Sequence, residues 1–199
     1  MVLYGASGHA KVIIDILERN GVDDLYIIDD NNQINSINDY SVHRNNKEIG
    51  DENVIISIGD NSIRKKISEN IGNNNFGTAI HPNSVIDKTS NISEGTVVMA
   101  NVVINSSTSI GKHCILNTNA VIEHDCIIED FVHISPSATL CGNVTVGEGT
   151  HIGAGATVIP NVKIGKWCTI GAASVILNDV PDNAVIYGNP GKIVKYNNK

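Results

Sequence analysis

His124 and Asp125 are adjacent, inside Asn117-Thr118-Asn119-Ala120-Val121-Ile122-Glu123-His124-Asp125. An imidazole changes charge near neutral pH and is the usual side-chain base there, and a neighbouring carboxylate can orient it and stabilise its protonated form. His124 stands two places after an aliphatic that recurs along the chain, which predicts an outward turn position. Neighbours in sequence do not automatically touch, so a solvated His-Asp turn stays open beside the catalytic reading. His133 and His151 are 18 residues apart and should stack at one strand spacing, roughly 4.8 Å. A metal held there would need a third ligand, which is not evident, so no metal is expected. Cys114, Cys126, Cys141 and Cys168 show no C-x-x-C spacing and read as reduced core residues.

A second chemistry-bearing stretch is Gly5-Ala6-Ser7-Gly8-His9, between a strand-like VLYG and a helix-like run. A glycine turn there leaves free N–H groups at the positive end of a helix dipole, where phosphate is favoured. The motif is shorter than the dinucleotide fingerprint G-x-G-x-x-G, and a plain structural turn explains it as well. Asp29, Asp30 and Gly59-Asp60 end the second and third strands. In an open parallel sheet the carboxyl ends of the strands line one crevice, where carboxylates can accept bonds from a base or ribose.

These residues need two kinds of scaffold. From Ile86 to Ile176 an aliphatic recurs every six positions without interruption, sixteen times, and four places after each stands a small or β-branched residue, from Ser90 to Val180. Six matches neither the helical nor the strand period, but it is the signature of a parallel β-helix built from hexapeptides. The aliphatics should fill the interior. Gly111, Gly147, Gly153, Gly165 and Gly171, directly after aliphatics, suggest sharp turning and positive φ. Ile80 suggests that the rhythm starts within the linker.

Before the repeat lies a β-α-β unit. Strands are expected at 2–5, 25–28 and 54–58, and helices at 10–19, with Val12, Ile13, Ile16 and Leu17 as its apolar positions, and at 62–70. The Asn-rich segments 31–38 and 72–75 read as polar connections. The fold class is therefore a small Rossmann-like α/β domain (1–75), a hexapeptide β-helix (76–182) and a tail (183–199) that leaves the hexad register.

With 14 Lys and Arg against 21 Asp and Glu, the net charge is −7, which argues against broad binding of nucleic acid or anionic membranes. No apolar run approaches the roughly 20 residues of a membrane span. Met1 leads directly into a strand without a charged signal region, so a cytoplasmic protein is expected.

YGASGHAKV, NTNAVIEHD and CGNVTVGEGTHIGAGATV together resemble the nucleotide-amino-sugar N-acetyltransferases of the sialic-acid O-acetyltransferase-like family, whose best-known type is the bacillosamine-pathway acetyltransferase. The resemblance covers nearly the whole length. It implies a left-handed β-helix, a homotrimer, acetyl-CoA between neighbouring helices and a nucleotide-linked amino sugar from the N-terminal domain. It implies His124 as general base, Asp125 as its carboxylate (where the type member has Glu), Asn117 as an active-site asparagine, His133 at the acetyl group, and the Gly142 N–H as oxyanion donor. Ala154 and Ala172 would follow the coenzyme arm. Ser7, Gly8, His9, Asp29, Asp30 and Gly59 would hold the nucleotide sugar, and Lys192, in a G-N-P-G-K ending, could meet a coenzyme phosphate or lie solvated.

Acyl transfer from a thioester to an amine needs a base and an oxyanion donor but no enzyme nucleophile. UDP is the expected nucleotide. GDP and O-acetylation of a sugar such as sialic acid are the enzymatic alternatives. A non-catalytic nucleotide-binding module or a structural solenoid is the alternative outside enzymes. An ice-binding type of solenoid would need ranks of outward Thr, whereas Lys112, Glu129, Glu148 and Lys163 are charged.

Overall fold

The structure is a computed structural model that describes residues 1–44, 49, 52–72 and 75–197. Residues 73 and 74 of the expected connection 72–75 lie outside the described residues. The N-terminal part contains β1 (Val2–Tyr4), α1 (Gly8–Arg19), β2 (Tyr26–Ile28), β3 (Ser36–Ile37), β4 (Tyr40–His43), β5 (Val54–Ile56) and α2 (Asn61–Ile71). The sheet order is β3-β4-β2-β1-β5. β1 runs parallel to β2 and β5, and every residue of β1 and β5 is buried, as short continuous apolar runs in a covered parallel sheet should be.

Two details depart from the sequence expectation. In α1 the buried residues are Ala10, Ile13, Ile14, Ile16 and Leu17, while Val12 is 41% exposed. The inward stripe thus follows 10, 13, 14, 17, the regular helical spacing. Segment 31–38 is also more than a connection. Ile37 is buried against the α1 side of the sheet, and β3 pairs antiparallel with β4.

From Ala79–Ile80 to Val175–Ile176, seventeen two-residue strands follow one another at six-residue steps. Each pairs in parallel with the strand 18 residues away, forming a left-handed three-faced coil. Face 1 carries strands such as Ile115–Leu116, His133–Ile134 and His151–Ile152; face 2 carries Val121–Ile122 and Thr139–Leu140; face 3 carries Ile127–Ile128 and Thr145–Val146. The first edge follows face 1 (for example 117–120), the second follows face 2 (123–126) and the third follows face 3 (129–132). The hexad aliphatics from Val98 onward form one buried column, with Ile86 and Ile92 half-buried at its start.

The small inward positions have a shared polar task. Thr96, Thr108 and Thr150 donate their hydroxyls to carbonyls of Gly111, Glu123 and Gly165. The thiols of Cys114 and Cys126 do the same to Glu129 and Cys141. A buried carbonyl left unpaired is costly, so cysteine here behaves as a slightly larger serine. All four cysteines are free.

The expected positive φ after each aliphatic is not found at Gly111, Gly147, Gly153, Gly165 or Gly171. Left-handed backbone occurs instead three places after the aliphatic, at Gly95, Asn101, Ser107, His113, Asn119, Asp125, Phe131 and onward to Ala173. The five glycines are required for space. A Cβ at Gly147 would lie 2.6 Å from the Gly165 carbonyl carbon of the next coil, and one at Gly153 2.6 Å from the Ala172 nitrogen.

The tail returns to the scaffold. Ala184–Tyr187 pairs in parallel with Thr169–Ile170 and so extends face 1, and Lys192–Tyr196 pairs back antiparallel. At the other end of face 1, Ala79, Val97 and Ile115 are buried in one cluster with α1 and the sheet, so the α/β part sits on this face.

Candidate active site

On the second edge, His124 Nδ1 lies 2.8 Å from Asp125 Oδ2, and the two side chains are 58% and 59% exposed. The neighbours meet where Asp125 takes a left-handed φ of 60°, a conformation that Asp tolerates better than most residues. With Nδ1 committed to a carboxylate, Nε2 is the nitrogen left to take a proton. The imidazole lies against Gly142 of the next coil, where an added Cβ would come 2.6 Å from Cε1 and 2.7 Å from Nε2. Glycine at 142 therefore makes room for the ring. No described residue engages the Gly142 N–H, whereas side-chain carboxylates take the equivalent N–H groups of Lys112, Glu148 and Lys166. A base nitrogen and an unused N–H donor thus stand side by side.

A second group lies where face 1 meets the α/β domain. The Oδ1 of Asn117 accepts the Thr118 N–H at 2.8 Å, and its Nδ2 is 3.2 Å from His133 Nε2. His133 Nδ1 is 3.4 Å from the Gly59 carbonyl, and its ring stacks on His151 with centroids 4.7 Å apart and planes 3° apart. His151 Nε2 meets the Ser135 hydroxyl at 2.8 Å. Burial, then the neighbouring His151 and Arg64, depress the His133 pKa to about 3. Burial, then Arg64, hold His9 at about 4.

The glycine turn is braced from β2. Asp29 accepts the Ala6 N–H at 2.6 Å and the Asn31 N–H at 2.7 Å, and Asp30 accepts the Tyr4 hydroxyl at 2.7 Å. Gly5 has φ 107°, and a Cβ there would strike Ile58 and Ser57. Ser7 makes no capping bond and the first turn of α1 has no acidic residue, so past the Asp29 carboxylate at Ala6 the start of the helix carries no side-chain cap. Gly8 and Gly59 each border open space, and His9 Nε2 is buried without a hydrogen-bond partner. A groove of about 190 Å³ opens between Gly59, Asn61 and His151.

The predicted residues thus fall into separate groups. His124, Asp125 and Gly142 share the second edge. Asn117 and His133 join Gly59 and His9. Ala154 and Ala172 are one coil apart on the first edge, where no described residue takes their N–H groups. In a three-faced coil the second edge lies opposite face 1, so one chain does not bring His124 to His133. Lys192 is exposed in the terminal hairpin. Among the described residues no group of three or more His, Cys, Asp or Glu could hold a metal, and no helix is long and apolar enough to cross a membrane.

Two residues at this junction escaped the sequence reading. Arg64, 1% exposed, donates to carbonyls of Ile58, Gly59, His113 and Phe131 and to Asn61 Oδ1. Asn61 in turn donates to Gly149 and Thr150. The available signal was a polar stripe, Asn61, Arg64 and Ser68, at helical spacing and facing inward while Ile63 is exposed.

The PglD N-terminal domain family matches residues 1–71, and the bacterial transferase hexapeptide family matches 125–159 and 143–178. A comparison with curated proteins gives no match. Among solved structures, the acetyltransferase domain of PglB from Neisseria gonorrhoeae FA1090, also solved with acetyl coenzyme A, is 33% identical with a TM-score of 0.91, over 97% of this chain and 98% of that one. PerB from Caulobacter crescentus, in complex with CoA and GDP-perosamine, is 35% identical with a TM-score of 0.91, over 98% and 96%. WeeI from Acinetobacter baumannii AYE is 27% identical with a TM-score of 0.89, over 97% and 98%. With both halves matched and two relatives above 30% identity along almost the whole chain, this protein belongs to the hexapeptide-repeat family of sugar N-acetyltransferases that carry a PglD-type N-terminal domain.

Proposed function

We propose that this protein is a cytoplasmic homotrimeric enzyme that transfers acetyl from acetyl-CoA to the amino group of a nucleotide-linked amino sugar, with His124 as general base. The observation that carries the reading is the free Nε2 of His124 beside the unengaged Gly142 N–H, with Asp125 on the opposite ring nitrogen. The sugar amine attacks the thioester carbonyl, and its proton passes to His124 Nε2 as the C–N bond forms. The Gly142 N–H stabilises the oxyanion, a contribution of about 3 to 4 kcal/mol for one such donor. The C–S bond then breaks, and the departing CoA sulfur takes the proton from His124.

The N-terminal part (1–75) binds the nucleotide through Ser7, Gly8 and His9, whose buried Nε2 suits a phosphate oxygen, with Gly59 beside it. Asp29 and Asp30 shape that turn. The β-helix (76–182) carries the chemistry, and within the tail (183–199) the strands Ala184–Tyr187 and Lys192–Tyr196 close its last coil. Asn117, His133, Ala154 and Ala172 line the acetyl-CoA side.

Two observations favour the trimer. The proposed site residues are split between opposite sides of one coil, so a neighbouring copy must bring His124 to the first edge. The outward column of face 2, Val85, Val103, Val121, Thr139, Thr157 and Val175, carries no charge, and Val85 is 63% exposed. Free buried cysteines suit the reducing cytoplasm.

UDP is the proposed nucleotide, and GDP is the second reading because PerB is solved with GDP-perosamine. Incubating purified protein with acetyl-CoA and UDP- or GDP-linked amino sugars, and following thiol release, decides between them. Release with neither class would overturn the function.

A further inference from the structure

The junction between α2 and the β-helix holds a cation that, among the described residues, bonds to no carboxylate. Arg64 occupies the first turn of α2, its guanidinium bonds among the described residues only to neutral acceptors, and Asp60 acts on it through space. Its Nε and Nη2 reach the His113 and Phe131 carbonyls at 2.8 and 2.9 Å, and Nη2 also reaches Asn61 Oδ1 at 2.8 Å. Asn61 continues the column to the Gly149 carbonyl at 3.0 Å. His113, Phe131 and Gly149 are 18 residues apart, so two side chains of α2 clamp three successive coils. From the other side, Nη1 takes the Ile58 and Gly59 carbonyls at 2.9 and 3.3 Å. The loop that ends β5 is thereby tied to the β-helix through one residue.

The Gly59 carbonyl is shared, since His133 Nδ1 also approaches it. The other end of this chain of bonds is fixed too. Asn117 Oδ1 accepts the Thr118 N–H, so the group that Asn117 turns toward His133 Nε2 is its NH₂, and Nε2 must accept. The His133 proton therefore belongs on Nδ1, donated to Gly59.

Resting on the acetyltransferase reading above, we propose that Arg64 is a positioning residue: by holding the Gly59 carbonyl in place it fixes His133 as its Nδ1–H tautomer, and His133 in turn aims the remaining amide N–H of Asn117 at the first edge, where the acetyl group is bound. The groups that face His133 add no negative charge. They are His9 at 6.5 Å between ring centroids, the stacked His151, Arg64, the Gly59 carbonyl and Asn117. Asp60, at the start of α2, acts on His151 and is itself bonded to Ser62 and Ile63. Burial first, and then the stacked His151, push the His133 pKa down to about 3, and Arg64 adds to this because a cation in a low-dielectric site opposes a second one nearby.

The test compares the wild-type trimer with Arg64→Lys and Arg64→Gln. Lysine keeps the charge but lacks the planar fork that spans both the loop and the coils. Two-dimensional ¹H–¹⁵N spectra of the histidine rings should show the wild-type His133 proton on Nδ1 at neutral pH. In Arg64→Lys the same ring should populate both tautomers, and kcat should fall about tenfold or more, as for a slightly misplaced active-site group. The KM for acetyl-CoA should stay within about twofold of wild type while that for the nucleotide sugar rises. A purely structural role would lower the melting temperature and leave kcat and the tautomer unchanged in the folded protein, which would overturn the proposal. A wild-type proton on Nε2 would overturn it without any variant, so misfolded substitutions do not rescue it. Absence of acetyl transfer by the wild-type protein would instead strike the function, and the tautomer measurement would still stand.

Discussion

The β-helix carries histidines in two kinds of setting. His124 on the second edge is more than half exposed and touches a carboxylate. At the junction His113 is buried, and His133 and His9 from α1 are largely but not fully covered. Their pKa values are pushed down to about 4, about 3 and about 4, each first by burial and in part by Arg64. The same hexad supplies both settings, and what differs is the neighbour. Among the described residues no other element packs on the second edge, whereas face 1 and the third edge are roofed by α1 and α2. An exposed imidazole beside a carboxylate can accept a proton, while the buried ones are suited to neutral hydrogen bonding and stacking. The sandwich of Phe76, His113 and Phe131, with centroids 4.4 and 5.1 Å apart, is the clearest case of the latter.

Acid should separate the two regions most strongly. For a histidine whose folded pKa lies below its unfolded value, the folded state binds fewer protons. Its contribution is present above about pH 6.5 and is lost as pH falls toward the folded pKa. Each such histidine costs up to about 1.4 kcal/mol per pH unit in that window, so His9, His113 and His133 together cost about 2 kcal/mol per unit at pH 6.5, where the unfolded rings are half protonated, rising to about 4 kcal/mol per unit near pH 5.5. By about pH 4 the loss is comparable with the whole stability of an ordinary domain. Urea unfolding at pH 7 and pH 5 measures the slope, and His113→Phe should remove about a third of it. A stability flat from pH 7 to pH 5 would show that the junction histidines are not buried as neutral rings.

The second edge should answer to chemistry and not to stability. His124→Ala is expected to lower kcat by about 10²- to 10⁴-fold while leaving the urea midpoint and the oligomeric state unchanged, because its ring is mostly in solvent. A variant that retained most of its turnover would remove His124 as the base. Gly142→Ala should follow, at about 10²-fold in kcat, since the new methyl must push the imidazole away from its position beside Asp125. The Gly142 N–H survives in that variant, so the comparison separates loss of ring placement from loss of the proposed oxyanion donor.

The scaffold was far more legible than these contacts. A period of six fixes which residues point inward, so the buried column and the parallel coil follow from composition at two positions in each hexad. The left-handed turn position was also written in the chain, as Gly95, Asn101, Asn119, Asn143, Gly149, Gly155 and Asn161. It was hidden where His113, Phe131 and Trp167 take that conformation on the third edge. There aromatic stacking and Lys65, 5.9 and 5.6 Å from the centroids of Phe131 and Trp167, offset the backbone strain. The docking of α2 could not be seen locally. Arg64 in an amphipathic helix reads as a solvated cation, and only the carbonyl column of three coils gives it a buried place. The choice of Ile14 over Val12 as the inward residue of α1 depends in the same way on the sheet and face 1 between which the helix packs.

The smallest expected effect tests the element that makes His124 different, its carboxylate. Asp125→Asn keeps an acceptor oxygen for Nδ1, and asparagine tolerates the left-handed backbone at least as well as aspartate. Fold and ring placement should therefore persist, and only the negative charge is lost. The pair is more than half exposed, so solvent screens its attraction and an exposed ion pair is worth at most about 1 kcal/mol. A fall in kcat of about fivefold, with unchanged KM for both substrates, is the corresponding outcome. A loss as large as that of His124→Ala would mean that the edge is dry when substrates are bound, with the neighbouring copy excluding water from the pair. No loss would mean that position alone, not charge, is what Asp125 supplies to the base.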